Sequence, residues 1–263
     1  MTHSYDFDRF TDLRQRAEIL RLQQQAHVML GRELQLLRTL GLASSHHFLE
    51  VGCGPGFLTG AVSNLVPEGR AVGLDLSSEM MAVARTLVEP EHPNLGFEQG
   101  SAYQLPFAED SFDFVYSRLL YQHLVDPVQA LAEARRVVKP GGKVCVLDID
   151  DGWLSLHPPS SAFDTFTDRV TRAKAEQGGD RHVGRKLAWL MQQAGLSRVQ
   201  QQVEAFTSLG VGLAAFLNLT TFFKAPLLES DEAADLLARI RGEIEAPDEP
   251  VGLAGIFVAI GTV

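Results

Sequence analysis

Apolar residues recur at spacings of three and four over the first forty residues and stop at Gly41. Such spacing places them on one face, so we expect one or two amphipathic helices between residues 8 and 40. From residue 41 to about 150, short apolar runs alternate with segments of helical period, which predicts a parallel sheet with helices on both faces. The N-terminal pattern is carried by Phe10, Leu13, Ala17, Leu20, Met29, Leu30, Leu34, Leu37 and Leu40.

Beyond residue 150 the pattern is less regular. Three segments have helical spacing, two have strand character, and one segment rich in Pro and Ser is predicted to be a loop. The predicted helices cover 163–175, 185–194 and 212–245, the last with a break at Ala225-Pro226, while the strands cover 197–206 and 251–263 and the loop covers 152–161.

A glycine-rich turn follows the first apolar run of the alternating region. The run Phe48-Leu49-Glu50-Val51 leads into Gly52, Gly54 and Gly56, which stand at alternate positions before a segment of helical period. Glycine suits a backbone that takes positive φ or approaches a ligand closely, and a helix N-terminus presents unpaired N–H groups there. The turn therefore predicts a nucleotide-like ligand. A dinucleotide loop would place its third glycine where Phe57 stands, which argues against NAD.

The chain resembles the class I S-adenosylmethionine (SAM) dependent methyltransferases, whose first motif is an acid followed by three alternating glycines. Four more segments in family order strengthen the resemblance, which covers about residues 40–150. They are Val72–Ser77, Gly100–Phe107, Ser111–Ser117 and Arg136–Val146.

The resemblance implies a doubly wound, mostly parallel sheet of seven strands with helices on both faces and an antiparallel last strand. It also implies an N-terminal helical lid over residues 1–40 and a methyltransferase domain over 41–263. Helices within about 207–247 would be an insertion near the substrate. The alternative for the N-terminal segment is a helix that only packs on the sheet and does not contact the cofactor.

By the same resemblance, Glu50 supports the methionine end of SAM, Asp75 binds the ribose hydroxyls, and Leu76 and Met80 flank the adenine. Ser101 replaces an aspartate that is common in the family, which weakens the expected contact with the adenine amine. The predicted cofactor-binding residues are Glu50, Gly52, Cys53, Gly54, Gly56, Asp75, Leu76, Met80, Ser101, Ala102, Ser117 and Arg118.

Catalytic residues are harder to predict, because methyl transfer depends mainly on alignment of the nucleophile. His123 follows the fourth predicted strand and is our candidate general base, with Tyr121 as a second candidate. A histidine that opens a helix often only caps or packs. Asp148, Asp150 and Asp151 follow the fifth strand, where carboxylates hold Mg²⁺ in some enzymes, but a solvated acidic cluster fits the pattern better. We therefore predict no metal.

Several aromatic residues in the less regular part of the chain have two interpretations. They can wall an apolar pocket for the substrate, but aromatic residues at helical spacing more often belong to the core. The set is Trp153, Phe163, Phe166, Phe216, Phe222 and Phe223.

The amino-acid composition disfavours some classes of binding partner. The 23 Lys and Arg residues against 33 Asp and Glu residues give a net charge of −10, which disfavours nucleic acid. Cys53 and Cys145 are the two cysteines, so neither a disulfide framework nor a Cys-type zinc site is expected. We recognise no signal peptide or long apolar run, and expect a cytoplasmic protein with a small-molecule partner, no membrane partner and a possible homodimer.

These features predict a SAM-dependent methyltransferase that acts on an oxygen, nitrogen or carbon atom of a small, partly apolar molecule. A catalytically silent SAM-binding sensor or scaffold has the same cofactor loop and remains an alternative. An NAD-dependent oxidoreductase is a weaker one, because of Phe57.

Overall fold

The computed structural model describes residues 7–9, 12–244 and 250–263. Its strands are β1 (His47–Val51), β2 (Arg70–Asp75), β3 (Leu95–Gln99), β4 (Phe112–Arg118), β5 (Val138–Ile149), β6 (Ser155–His157), β7 (Ser197–Thr207) and β8 (Val251–Thr262). Its helices are α1 (Asp12–Thr39), α2 (Phe57–Ser63), α3 (Ser78–Leu87), α4 (Pro127–Val137), α5 (Ser161–Glu176), α6 (Leu187–Gln193), α7 (Ser208–Val211), α8 (Leu213–Thr220) and α9 (Ser230–Ile244).

In the described ranges the strands form one sheet, in the order β3-β2-β1-β4-β5-β8, and β1 to β5 are parallel neighbours. β8 runs antiparallel to β5, as predicted for the last strand. β5 and β6 pair along one edge of β8, and β7 pairs along the other. The predicted doubly wound α/β fold is confirmed.

The strand count differs from the predicted seven, because the sheet within the described residues has an eighth, short strand. β6 lies in the segment predicted to be a loop, and only Leu156 of its three residues is buried. Three residues are too few to establish an alternating pattern. β6 nevertheless extends the pairing of β8 beyond the end of β5, with Ser155 opposite Leu253 and His157 opposite Val251.

The N-terminal pattern forms one long helix, α1, rather than two. Phe10 lies outside the described residues. Leu37 is fully buried and packs with Phe48 of β1 on one face of the sheet. Within the described ranges, no helix is both long and apolar enough to cross a membrane.

Side-chain N-caps determine where two of the helices that follow strands begin. Ser77 Oγ accepts a hydrogen bond from Met80 N and starts α3 directly after β2. Asp126 accepts from Gln129 N at the start of α4, where Pro127 occupies the first helical position. These caps satisfy N–H groups that a helix leaves unpaired at its first turn. They set the chain direction at the edge of the sheet that holds the cavity.

A separate apolar cluster covers the end of the sheet formed by β6 and β8. It is built from α5, α8 and α9, and Phe163, Phe166 and Phe216 are fully buried in it. The core interpretation of these three aromatic residues is confirmed. The predicted helix over 212–245 is interrupted, with α8 and α9 separated by a 3₁₀ segment, Phe222–Leu227, that contains Pro226.

Candidate active site

A cavity of about 1460 Å³ opens at the carboxyl ends of β1, β2, β4 and β5. One part, the glycine-loop side, is lined by Glu50–Phe57 without Gly56, by Leu74–Ser77 and by Gly100–Tyr103. The other part, the basic side, is lined by residues from α1 and by segments that follow β4 and β5. They include Arg21, Gln122, His123, Asp151, Lys174, Arg181, Phe223 and Lys224.

The glycine loop is tied to the neighbouring strand. Gly52 N and Cys53 N donate to the carbonyl oxygen of Leu74 at 2.7 and 3.0 Å, and Gly54 N donates to Asp75 Oδ2 at 2.8 Å. Gly52, Gly54 and Gly56 have φ of 79°, 52° and 78°. This left-handed conformation favours glycine and turns the chain sharply between β1 and α2.

Gly56 does not line the cavity, unlike the other two glycines. A Cβ at this position would lie 2.4 Å from Cζ of Phe97, whose side chain is buried. Gly56 therefore allows the start of α2 to pack against β3. The structure thus gives Gly56 a packing role and does not place it at the cavity, where the predicted cofactor contact would be.

Asp75 ends β2 beside the cavity. Its carboxylate accepts hydrogen bonds from Gly54 N and Ser77 N, at 2.8 and 3.0 Å. Burial raises the pKa of Asp75, although these backbone donors favour the ionised form. Leu76 and Met80 line the cavity beyond it. The strand end thus offers a carboxylate next to apolar surface, the pairing that a ribose joined to a flat base requires.

The remaining predicted residues of this side have distinct contacts. Ser101 and Ala102 line the cavity, and Ser101 Oγ accepts from Tyr103 N at 3.2 Å. Glu50 is almost fully buried, and its Oε2 accepts a hydrogen bond of 2.5 Å from Thr59 Oγ1. Burial raises the pKa of Glu50 to about 8. The protonated form is therefore the more populated one at neutral pH.

Glu33 is a wall residue that the sequence analysis did not predict. It lies in α1, is 2% exposed, and its Oε1 is 3.3 Å from Nε of Arg118. Burial raises the pKa of Glu33. A signal was present in the sequence, because Glu33 interrupts the apolar stripe formed by Leu30, Leu34 and Leu37. An acid on the apolar face of a helix needs a buried partner, which here is Arg118.

Two predicted residues lie behind the wall. Ser117 and Tyr121 are each 2% exposed, do not line the cavity, and have hydrogen-bonded side chains. Tyr121 packs among apolar residues of the sheet, and this burial raises the pKa of its hydroxyl. The placement gives Tyr121 no access to a ligand in the cavity and so does not support the catalytic role suggested for it.

His123 lines the cavity, as predicted for a catalytic candidate, and its Nδ1 lies 2.8 Å from Nζ of Lys174. Burial lowers the pKa of Lys174 to about 8, with a smaller contribution from Arg181. Lys174 was not predicted, but it continues the apolar face of α5 four residues after Val170. A lysine on the apolar face of a helix indicates a buried amine, and a buried lysine is almost always paired with another polar group.

Asp148 at the end of β5, and Asp150 and Asp151 just after it, are buried, so the solvated acidic cluster expected from the sequence is wrong. Asp148 accepts from Gln122 N and Ile149 N, and burial raises its pKa to about 7. Asp150 pairs with Arg185, with Nη2 2.6 Å from Oδ1. Within the described part of the chain, no group of three or more His, Cys, Asp or Glu residues is arranged to hold a metal ion.

Asp151 is held by two buried cations. Arg181 donates from Nε and Nη2 to its two oxygens at 2.8 and 3.0 Å, and Lys224 Nζ donates to both oxygens at 3.1 and 2.9 Å. Burial alone would raise the pKa of Asp151, but Lys224 and Arg181 lower it to about 2. Arg181 lies in the segment between α5 and α6 and Lys224 in the 3₁₀ segment Phe222–Leu227, and neither residue was predicted to be buried.

The remaining aromatic residues divide between two environments. Phe223 lines the cavity, and the guanidinium carbon of Arg21 lies 4.6 Å from its ring centre. Phe222 packs against the α5-α8-α9 cluster. Trp153 is 43% exposed and makes an edge contact with Phe257. The pocket interpretation therefore applies to Phe223 among the six.

The strand order, the glycine loop after β1 and the acid that ends β2 together form the architecture of a class I, SAM-dependent methyltransferase. Residues 49–146 match the family model described as a methyltransferase domain.

Two curated relatives and one solved structure illustrate the similarity. An uncharacterized methyltransferase of Schizosaccharomyces pombe is 42% identical over 109 residues, which is 39% of each chain. A demethylmenaquinone methyltransferase of Bacillus cytotoxicus is 37% identical over 120 residues, covering 43% of this chain and 49% of the relative. The crystal structure of YcgJ from Bacillus subtilis has a TM-score of 0.64 at 21% identity, over 90% of this chain and 98% of YcgJ. The chain thus spans about half or less of the length of these curated relatives.

Proposed function

We propose that this protein transfers a methyl group from SAM to an oxygen, nitrogen or carbon atom of a small, partly apolar molecule. One observation carries the proposal: a single cavity joins the glycine-loop side to the basic side. Its volume of about 1460 Å³ exceeds the roughly 300–1,000 Å³ usual for one small ligand. The space therefore suits a cofactor and an acceptor together.

The glycine-loop side fits SAM in its donor set. Asp75 provides a carboxylate for ribose hydroxyls, Leu76 and Met80 provide apolar surface for adenine, and Ser101 provides a hydroxyl at the base edge. Glu50 and the Glu33–Arg118 pair provide carboxyl and guanidinium groups for a methionine moiety. When bound, SAM supplies a methyl group on a positively charged sulfur.

The chain's own residues would act by alignment and by control of a proton. The wall of the basic side combines polar groups with apolar surface from Leu154, Phe206 and Phe223, which suits a partly apolar acceptor. His123 is the residue on this wall that we propose to receive a proton from the acceptor. An acceptor whose nucleophilic atom carries no proton would not need this step.

The names of relatives support a small apolar acceptor. The Bacillus cytotoxicus relative is named a demethylmenaquinone methyltransferase, and a quinone of this kind is a small, largely apolar molecule. The net charge of −10 supports a small molecule over nucleic acid. We also propose that the protein acts in the cytoplasm, without a membrane partner, and that it is able to form a homodimer.

Calorimetry with SAM and with S-adenosylhomocysteine, followed by transfer of labelled methyl groups to a panel of small acceptors, tests the proposal. We expect saturable binding of both compounds and turnover with at least one acceptor. Failure to bind either compound would end the proposal. Binding without turnover on a broad panel would favour the silent sensor or scaffold, and a fluorescence change of NADH on mixing would favour the oxidoreductase.

A further inference from the structure

Glu33 of α1 is a buried carboxyl group without a hydrogen-bond donor. Its side chain lines the cavity and is 2% exposed, yet no donor among the residues that the structure describes reaches either of its oxygens. Arg118 lies nearby, with Nε 3.3 Å from Oε1, but this contact does not have the geometry of a hydrogen bond. Arg118 therefore balances the charge of Glu33 without satisfying its hydrogen-bonding capacity.

Two carboxyl groups on the glycine-loop side, those of Glu50 and Asp75, do have donors. Oε2 of Glu50 accepts a hydrogen bond from Thr59, and Asp75 accepts hydrogen bonds from backbone N–H groups. Buried polar atoms in proteins almost always have such partners, because an unpaired buried group loses its hydration without compensation. An unpaired carboxyl group in the wall of a cavity therefore indicates that a ligand supplies the donor.

The position of Glu33 is next to the glycine loop. Its neighbour Arg118 ends β4, and β4 pairs with β1, whose last residues lead into the loop. Burial, and to a smaller extent the charge of Glu33, raises the pKa of Glu50, which shows that the two acids are close together. Glu33 thus lies at the end of the cavity where Glu50 is predicted to support the methionine moiety of the cofactor.

The chemistry of Glu33 favours a cationic donor. A carboxylate accepts hydrogen bonds and donates none, and hydrogen bonds between ions are stronger than neutral ones. Burial raises the pKa of Glu33 and Arg118 only partly offsets this effect, so the ionised form lacks stabilising partners. An ammonium group supplies several N–H donors together with a positive charge, whereas an amide or a hydroxyl group supplies a donor without the charge.

We propose that Glu33 binds an ammonium group of a ligand in the cavity, either the α-ammonium group of SAM or that of an amine acceptor. This inference rests on the proposed function and assigns one chemical group of the ligand to one residue. Glu33 lies outside residues 49–146, the part of the chain that matches the family model, so the assignment does not follow from the family motifs. Because Glu33 belongs to α1, the bound ammonium group also links this helix to the ligand.

Calorimetry with two forms of the product cofactor tests the first source of the ammonium group. The probes are S-adenosylhomocysteine and its deaminated analogue, in which a hydrogen atom replaces the α-ammonium group. We expect the wild-type protein to prefer S-adenosylhomocysteine by about 10- to 100-fold, as for hydrogen bonds between charged groups, and Glu33→Gln to lose most of this preference. Glu33→Asp, which keeps the charge, should retain part of it. Comparing two ligands in two proteins separates this interaction from a general loss of affinity.

Glu133→Gln is the matched control, because Glu133 also pairs with an arginine, Arg136, but does not line the cavity. This variant should keep the wild-type preference for the ammonium form. Urea unfolding of each variant measures stability separately. If Glu33→Gln lowers the free energy of unfolding and weakens both cofactor forms equally, Glu33 has a structural role and the proposal is wrong.

The hydroxyl group of Tyr116 is another buried atom without a hydrogen-bond partner in the described part of the chain. Burial, followed by the charge of Glu33, raises its pKa, so it lies near Glu33, but Tyr116 does not line the cavity. If this hydroxyl group were the true partner of Glu33, the losses of stability in Tyr116→Phe and Glu33→Gln would not add in the double variant. The ammonium preference would then be unchanged in Glu33→Gln, which would overturn the proposal.

Benzylamine and the uncharged benzyl alcohol, added to protein loaded with S-adenosylhomocysteine, test the second source. If Glu33→Gln keeps the cofactor preference but weakens benzylamine about tenfold relative to benzyl alcohol, the ammonium group belongs to the acceptor. If the variant changes neither preference, Glu33 binds no ammonium group. A wild-type protein that does not bind S-adenosylhomocysteine would end the proposed function as well, whereas binding without any ammonium preference would end this inference alone.

Discussion

Nζ of Lys174 lies 2.8 Å from Nδ1 of His123 on the wall of the cavity. While Lys174 is an ammonium group it must donate to Nδ1, which leaves the ring proton on Nε2 and makes His123 a poor base. When Lys174 loses its proton, Nδ1–H donates to Lys174 and Nε2 is able to accept. The base role of His123 is thereby coupled to the protonation state of Lys174.

This coupling predicts the pH dependence of methyl transfer to a proton-bearing acceptor. Because the pKa of Lys174 is lowered to about 8, kcat at saturating acceptor should rise with pH and level off above about pH 8. Lys174→Met should remove this inflection, and His123→Ala should lower kcat at high pH. An unchanged kcat in His123→Ala at every pH would exclude His123 as base.

Asp75→Asn should weaken cofactor binding by about 10- to 100-fold, as expected from hydrogen bonds to an ionised group worth ~1.5–3 kcal/mol. The amide cannot offer two acceptor oxygens to Gly54 N, Ser77 N and a ribose at once. Calorimetry with S-adenosylhomocysteine measures the loss. Asp113→Asn is the matched control, because Asp113 also accepts a backbone N–H, from His47, but lies at the other edge of the sheet. Similar losses in both variants would contradict the ribose role.

Glu50 should make SAM binding depend on pH. Its pKa of about 8 means that it is mostly protonated at pH 7, and a cationic ligand favours the carboxylate, so binding releases a proton. SAM affinity should therefore increase, by up to about tenfold per pH unit, as pH rises towards 8, and then level off. Glu50→Gln should flatten this dependence, whereas Glu68→Gln, at an exposed position, should not. Equal slopes in wild type and Glu50→Gln would refute the linkage.

Site residues could be predicted from the sequence where they lie next to a strand end or a turn that has its own sequence pattern. The loop from Glu50 to Gly56 and the acid Asp75 are adjacent to strand ends, so their place at the cavity could be read from strand and turn signals. Glu33 and Lys174 left a weaker signal, as charges on apolar helix faces. Arg181 and Lys224 left none, because their burial depends on Asp151, which is distant in sequence. The buried cations of the basic side were for this reason not predicted, whereas His123 and Phe223 on the same side were candidates from the sequence.

Gly56→Ala should destabilise the fold more than Gly141→Ala. Both glycines have positive φ, 78° and 82°, and such strain costs about 1–3 kcal/mol in a residue with a Cβ. A Cβ at Gly141 meets no atom within 4 Å, whereas at Gly56 it meets the buried ring of Phe97. Overpacking adds about 1–3 kcal/mol to the strain. Urea unfolding measures the free energies, and equal losses would mean that the Phe97 ring moves aside.

The first described segment, residues 7–9, lies over the start of α3 and tests the lid prediction. The Asp8 carboxylate accepts from Ser77 Oγ and, at 3.2 Å, from Ser78 N, while Phe7 is buried and both residues line the cavity. Removing a hydrogen bond of about 0.5–1.5 kcal/mol should raise the release rate of S-adenosylhomocysteine roughly 2- to 10-fold in Asp8→Ala. Stopped-flow displacement measures the rate.

The matched control for this variant is Asp168→Ala, an exposed aspartate on α5. If residues 7–9 close over the bound cofactor, Asp8→Ala should speed release while the association rate falls little, since an open lid does not hinder entry. If the segment is only packed on the sheet, the variant should lower the free energy of unfolding and leave the release rate unchanged. The ratio of release rates in the two variants therefore decides between a lid and a packed helix.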